Sequence, residues 1–355
     1  METSPSTQAA DPWQANHLLE VMLMMLVMMM MMMMMLMKVM MVMVKMMMTV
    51  TMLMVEMAMT VMMVMVNMAN MILMMMMVEV AGPEACSHIY QYEFFDRLVG
   101  RSQERGAAIV EELQKTASQQ GAASDGSVYT FRALDAFSMP ACRALADDLL
   151  RSEAPLDYLV LTQGMATLQG YTPTAPEKGG LDEKLTLHYY SRALLMDSLA
   201  PLLQKSSDGR CLSVLSGGIH SAYAGYVEDP DLSKSYSLTK AANLAGFYND
   251  IAVDALSSAY PGVSFMHAAP GFVATSWGTE MPPFVKALVR LLQNLGRSKE
   301  DAAEYLFRSL YHDDFKGGGF YIVNQYGEST ETLTSLHKEA KDAVWSHSKE
   351  ILAKF

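Results

Sequence analysis

Two hydrophobic patterns divide the chain near residue 98. Before it, apolar residues run on without a period. Val21 to Met37 is uncharged, Lys38 and Lys45 interrupt, and Met57 to Val78 is uncharged again, with Thr60, Asn67 and Asn70 as its polar positions. Beyond residue 98, short apolar runs alternate with longer segments whose apolar positions recur every three or four residues, the signature of strands alternating with helices. Leu98–Arg101 reads as the end of a strand, and Ser102 caps a helix to about Gln120. A strand over Ser127–Ala133, a helix over Ser138–Ser152 and a buried strand over Asp157–Thr162 follow. Then come a long helix (Leu181–Lys205), a strand (Arg210–Leu215), a helix (Ser235–Tyr260) and a strand (Gly262–His267). Helices near Pro283–Leu295 and Ser298–His312, a strand over Phe320–Asn324 and a C-terminal helix complete the pattern. Strands separated by helices of ten or more residues imply parallel strands with crossover helices. The predicted fold class is α/β, a doubly wound parallel sheet. The predicted organisation is a polar, untethered terminus (1–20), a Met-rich apolar tract (21–78), a junction (79–97) and a globular domain (98–355).

Composition changes this picture chiefly at the N-terminal side. Of 37 Met in the 355 residues, 31 lie between Met22 and Met77, so Met describes a segment and not the protein. Each uncharged run approaches the length that spans a bilayer. The tract reads as a membrane anchor or hairpin, as a Met-lined surface for soft metal ions, or as low complexity from a translated repeat or non-coding sequence. It contains no Trp, Tyr or Phe, whereas natural spans carry aromatic belts, and this favours the last reading. The net charge of −12 has the wrong sign for neutralising phosphates, which excludes nucleic acid as an expected partner. Cys86, Cys142 and Cys211 lie far apart, without the spacing of a disulfide framework or a zinc site, so no metal is expected and a reducing, cytoplasmic location is the default. Membrane association through 21–78 is the alternative.

In a doubly wound sheet, ligands bind beyond the carboxyl ends of the strands. Ser216-Gly217-Gly218 follows the strand Arg210–Leu215, Tyr236-Ser237-Leu238-Thr239-Lys240 opens the next helix, and Pro270 to Thr275 follows Gly262–His267. A Tyr and a Lys four apart on a helix share one face. An ammonium beside a phenol favours the phenolate, so Lys240 would lower the pKa of Tyr236 and fit it for proton transfer. Ser216 is placed to donate to a carbonyl oxygen.

Read in order, these motifs resemble the short-chain dehydrogenase/reductase family over most of Leu98–Phe355. The resemblance implies a Rossmann-like fold and hydride transfer between a nicotinamide cofactor and a carbonyl or alcohol. It implies Ser216, Tyr236 and Lys240 as the catalytic set, with Lys240 also binding ribose. Arg101, at the end of the family's second strand, would clamp the 2′-phosphate of NADP, which makes NAD the less favoured cofactor. Asp135 would contact the adenine, with a helix cap as its plain alternative. Gly164, Pro270, Gly271 and Val273 would line the cofactor, and Thr275 would touch the nicotinamide amide. His188 stands where the family has an Asn that holds a relay water, and is either a substitute relay or a buried His satisfied by backbone. The substrate would be a small carbonyl or alcohol compound, with Tyr223 and Tyr226 as a candidate aromatic wall, and a homo-oligomer is possible.

Two departures stand out. Thr162-Gln163-Gly164-Met165 replaces the usual Asn-Asn-Ala-Gly. The Thr-Gly-x-x-x-Gly-x-Gly loop expected before Arg101 is absent, which would remove the cofactor's pyrophosphate cradle and the first strand, the one at the centre of the family's sheet between the second and fourth. His88–Phe95 could fill that gap, but no crossover helix separates it from Leu98. The alternative function is a catalytically silent protein that keeps the fold as a binding or scaffold module, or a product of a faulty gene model.

Overall fold

The computed structural model describes residues 97–119, 129–165, 167–274, 296–330 and 333–355, with Met33, Met40, Met41, Met43, Lys45 and Met46 farther upstream. The chain forms two compact units, Met1–Met63 and Val64–Phe355. In the first, the six described residues are helical and exposed. The terminus, almost all of the Met-rich tract, the junction with Cys86 and His88–Phe95, Thr275 and the helix expected near Pro283–Leu295 lie outside the described residues.

The second unit runs β1 (Arg97–Gly100), α1 (Gln103–Gln119), β2 (Thr130–Ala133), α2 (Met139–Ser152), β3 (Tyr158–Leu161) and α3 (Ser191–Lys205). A helical turn, Glu183–Leu185, and a π-helical turn, Thr186–Tyr190, lead into α3 without a break. Then follow β4 (Arg210–Val214), α4 (Leu238–Ala259), β5 (Ser264–Ala268), α5 (Lys299–Tyr311), β6 (Gly319–Val323), β7 (Ser329–Thr330) and α6 (Ser335–Leu352). Among the described residues the predicted elements occur in the predicted order, with ends moved by up to three residues, and β7 is added. One of the three-residue shifts has a chemical cause. The helix expected from Ser235 begins at Leu238, because Ser237 stays extended and its hydroxyl accepts from the N–H of Lys240. Ser138 and Ser298 cap α2 and α5 in the same way.

The strands form a parallel pair, β2–β1, and a five-stranded sheet ordered β3–β4–β5–β6–β7, parallel except for β7. No strand among the described residues joins the two sheets. Parallel strands linked by helices make this the expected α/β, doubly wound architecture.

Burial follows from the pattern. β4 and β5 are buried at all five positions, as expected of central parallel strands covered on both faces. Cys211 and Phe265 face a core built with α2, α3, α4 and α6, whereas Leu212, Val214, Met266 and Ala268 face a second core under α5. Along α5 the buried positions are Ala302, Ala303, Leu306, Ser309 and Leu310, one stripe at helical spacing. Among the described residues no helix is long and apolar enough to cross a membrane.

Candidate active site

The carboxyl ends of β1 to β5 carry the residues singled out from the sequence. Ser216 follows β4 and is buried. Its backbone N–H donates to Nε2 of His267 at 3.2 Å, and its carbonyl meets Nδ1 of His220 at 2.9 Å. Its hydroxyl is buried without a hydrogen-bond partner. It lies against Gly246 of α4, where a Cβ would come within 2.5 Å of the Ser216 oxygen. A glycine in a helix interior costs about 1 kcal/mol relative to alanine. Here it makes room for Ser216 and His220 together.

Tyr236 precedes the cap of α4, and this changes its neighbours. Its ring meets the edge of Tyr171 at 5.6 Å, and Nζ of Lys184 lies 5.6 Å from its centroid. The phenolic oxygen is buried without a partner. Lys240 does not accompany it, because its ammonium donates to Oγ of Ser235 at 2.9 Å. The expected lowering of the Tyr236 pKa by Lys240 is therefore corrected. Burial, reinforced by the Asp182 carboxylate and by Tyr171, pushes the phenol well above its ordinary range. The shared-face argument failed because it assumed helix at Tyr236, where Ser237 keeps the chain extended.

His188 sits in the π-helical turn and is buried. Its Nε2 accepts from the N–H of Met165 at 2.9 Å, and its carbonyl accepts from Nδ2 of Asn249 at 2.8 Å. Burial, helped by the charges of Arg192 and Lys184, pulls its pKa down to about 3. The ring is held neutral and accepts from backbone, the contact that the second of its two readings expects. Asp135 accepts from the N–H of Phe137 at 3.1 Å and pairs with Lys178 at 2.8 Å, while Ser138 does the capping. Arg101 is exposed, its guanidinium 5.6 Å from the Phe137 centroid. Gly164 is buried in the turn after β3. Pro270 is buried after β5, and Gly271 follows with φ +75, a conformation that favours glycine. Val273 is buried and bridges to Arg297. Tyr223 is no wall of a pocket, since it is buried against Tyr248 with its hydroxyl donating to the carbonyl of Asp229. Tyr226 bonds Glu339 at the surface.

Several residues of this region escaped the sequence reading. Lys184 stands one turn before His188, an i, i+4 spacing that could have drawn attention to it. Burial lowers its pKa, and its ammonium donates to the carbonyl of Gly170 at 3.0 Å. Arg192 is fully buried, donating to the carbonyl oxygens of Gln163 and Val214 and to the Ser213 hydroxyl. Asp250, His220, His267 and His337 gather beside Ser216. His267 Nδ1 lies 2.5 Å from Oδ1 of Asp250. These four come from separate segments, and no spacing announces them.

A nicotinamide dinucleotide, the group the resemblance implies, can be tested against these residues. The unpartnered hydroxyls of Ser216 and Tyr236 fit its reactive end, and Arg101 and Asp135 lie at strand ends suited to its adenosine end. No glycine-rich turn for its pyrophosphate occurs among the described residues.

No family model matches the sequence. An Emericella nidulans protein named Oxidoreductase AN1596 is 31% identical over 290 residues, covering 72% of this chain and 84% of that protein. The NmrA-like family domain-containing oxidoreductase notO of an Aspergillus species is 26% identical over 229 residues, 58% of this chain and 67% of its own. Among solved structures, a short chain dehydrogenase from Shigella flexneri has 15% identity and a TM-score of 0.44, covering 67% of this chain and 84% of that one. The chain belongs to the family of oxidoreductases that includes AN1596.

Proposed function

We propose that this oxidoreductase reduces a small carbonyl compound, or oxidises the matching alcohol, with NADP(H) in preference to NAD(H). The observation that carries the reading is the pair of buried hydroxyls, Ser216 and Tyr236, neither of which has a hydrogen-bond partner. A buried polar group without a partner costs about 1–3 kcal/mol, and a substrate oxygen accepting from both would relieve that cost.

A bound nicotinamide would supply the hydride to the carbonyl carbon. The chain's residues handle the oxygen. Ser216 donates a hydrogen bond to the carbonyl oxygen as negative charge develops, and Tyr236 transfers its phenolic proton there to complete the alcohol. Burial raises the pKa of that phenol, so its proton is present at neutral pH but it is a weaker acid than an ordinary tyrosine. Lys240 would reach the ribose after leaving Ser235. Gly164, Pro270, Gly271, Val273 and Thr275 would line the nicotinamide side, with Asp135 at the adenine and Arg101 at the 2′-phosphate.

The test is thermal unfolding of the full chain with NADPH and with NADH. Ligand at 100 times its dissociation constant adds about 2.7 kcal/mol. The expected result is a clear upward shift that is larger with NADPH. The absence of any shift at millimolar concentrations of both would overturn the cofactor assignment.

A further inference from the structure

Ser216 stands where the sheet lets go of the chain. β4 ends at Val214, and its ladder to β5 continues one residue further, from the N–H of Leu215 to the carbonyl of Ala268 at 2.8 Å. Gly217 and Gly218 follow Ser216, Gly218 with φ +66, so the backbone there has little stiffness of its own. Side chains take over from the ladder. The N–H of Ser216 donates to Nε2 of His267 at 3.2 Å, and its carbonyl accepts from Nδ1 of His220 at 2.9 Å and from the N–H of Ile219 at 3.1 Å. Gly217 lies directly on the β5 backbone, where a Cβ would come within 2.2 Å of the His267 carbonyl oxygen.

The contact between Ser216 and His267 depends on where the imidazole keeps its proton. His267 receives the Ser216 N–H on Nε2, so that nitrogen is unprotonated and the ring proton sits on Nδ1. From there it is donated to Oδ1 of Asp250, on α4, at 2.5 Å. The other neutral tautomer would set an Nε2 proton against the Ser216 N–H, donor to donor. Asp250 disfavours that form, because an ionised carboxylate only accepts. Burial would raise the Asp250 pKa, but the surrounding imidazoles bring it down to about 2, and the group is ionised at neutral pH. The carboxylate is itself secured from α6. The Thr334 N–H donates to Nδ1 of His337, so the Nε2 proton of His337 faces Oδ2 of Asp250 at 3.5 Å. Nε2 of His220 lies 3.3 Å from the same oxygen, a contact that becomes an ion pair when His220 takes a second proton.

We propose that His267, held in one tautomer by Asp250, is the positioning residue for the Ser216 hydroxyl. The inference rests on the role proposed above for Ser216 at the substrate oxygen. That hydroxyl has no hydrogen-bond partner of its own, so its direction is set by the backbone that carries it. His267 and His220 grip this backbone on the two sides of the Cα, one at the N–H and the other at the carbonyl. Misplacing a group by about 1 Å can cost about 10²-fold in rate, so the support should show in turnover more than in affinity for substrate. A core histidine that only filled space would matter to the fold alone. His267 matters to the reaction, and only through Ser216.

The test joins a double-mutant cycle to a reading of the ring proton, both on the full chain. Ser216→Ala should lower kcat for carbonyl reduction by about 10²- to 10³-fold, as loss of a donor to a developing oxyanion does. His267→Phe should lower kcat by about 10-fold or more with KM little changed. His267→Gln, whose amide oxygen can take the Ser216 N–H, should recover part of that loss. In a Ser216→Ala background, His267→Phe should cost less than about 2-fold further. Thermal unfolding reports whether each variant is folded, and nitrogen-15 NMR of the histidine-labelled parent should find His267 protonated on Nδ1 and not on Nε2. An equal fold-loss from His267→Phe in both backgrounds would make its role purely structural and overturn the inference. So would an Nε2 proton on His267, a result that needs no turnover and leaves the proposed function standing. Full activity in Ser216→Ala would overturn the reading of Ser216 itself, and the inference with it.

Discussion

Tyr236 shows how one residue's backbone decides its chemistry. Displaced from α4 by the Ser237 cap, its phenol answers to burial, Asp182 and Tyr171 and not to Lys240. If it is the acid of the reaction, Tyr236→Phe should cut carbonyl reduction by about 10²- to 10⁴-fold, the usual contribution of such a group, with circular dichroism unchanged. Steady-state kinetics on any carbonyl substrate that turns over would check this, and full retention of activity would remove Tyr236 from the mechanism. His188 gives a prediction about pH. Its pKa is about 3 when folded against an ordinary 6.5, so between those values the unfolded chain binds a proton that the folded chain does not. Its contribution is complete above about pH 6.5 and declines as pH falls toward 3, by at most about 1.4 kcal/mol per pH unit. Urea unfolding from pH 7 to pH 4 should show a shallower decline in His188→Gln than in the parent. Cys142 is pushed up to about 12 by burial, and Cys211 is raised further by the same cause. A thiol reagent at pH 8 should leave both unmodified until the chain unfolds, with peptide mapping as the readout. At this scale the sequence revealed which residues follow which strands, Ser216 after β4 among them. It could not reveal the directions of Tyr236 and Lys240, because one extended residue at a cap redirects a side chain without leaving a trace in spacing.

Among the elements, the strands differ most in what protects them. β4 and β5 are buried along their whole length, whereas β1 and β2 form a four-residue pair flanked by α1. Two-stranded ribbons are marginal alone. Hydrogen exchange should therefore separate them, with amides of β4 and β5 exchanging only on global unfolding and those of β1 and β2 through cheaper local opening. Equal protection would mean that β1 and β2 are bound into the same cooperative unit. These elements were legible because burial imposes its period. The stripe Ala302, Leu306, Leu310 on α5 and the apolar run Tyr158–Leu161 of β3 are the fold written as pattern. Ends were less legible, since a Ser can be read as the first helical residue or as the cap before it. The cluster around Asp250 was not legible at all, because positions 220, 250, 267 and 337 meet only after four segments have packed.

For the whole molecule, the described strands fall into a parallel pair and a five-stranded sheet, the α/β class that the alternation of strands and helices implied before any coordinates. The adenosine end is where the proposed cofactor preference can be tested. Replacing Arg101 by Ala should raise the dissociation constant for NADPH by about 10-fold or more and leave that for NADH almost unchanged, since a charge-assisted contact is worth about 1.5–3 kcal/mol. Equal effects on both cofactors would show that Arg101 does not read the 2′-phosphate.

One chain of hydrogen bonds crosses this architecture from the turn after β3 to α4. Met165 donates to His188, Asn249 donates to the His188 carbonyl, Ser213 donates to Asn249, and Arg192 donates to Ser213. Each member is the partner of the next, and all but Met165 are buried. For evolutionary drift this has a specific meaning: an apolar substitution at Ser213 strands both Arg192 and Asn249 in the core, whereas His188 offers Asn249 a backbone carbonyl that any residue supplies. In lineages that diverge while keeping the fold, Arg192, Ser213 and Asn249 should be found either together or together replaced.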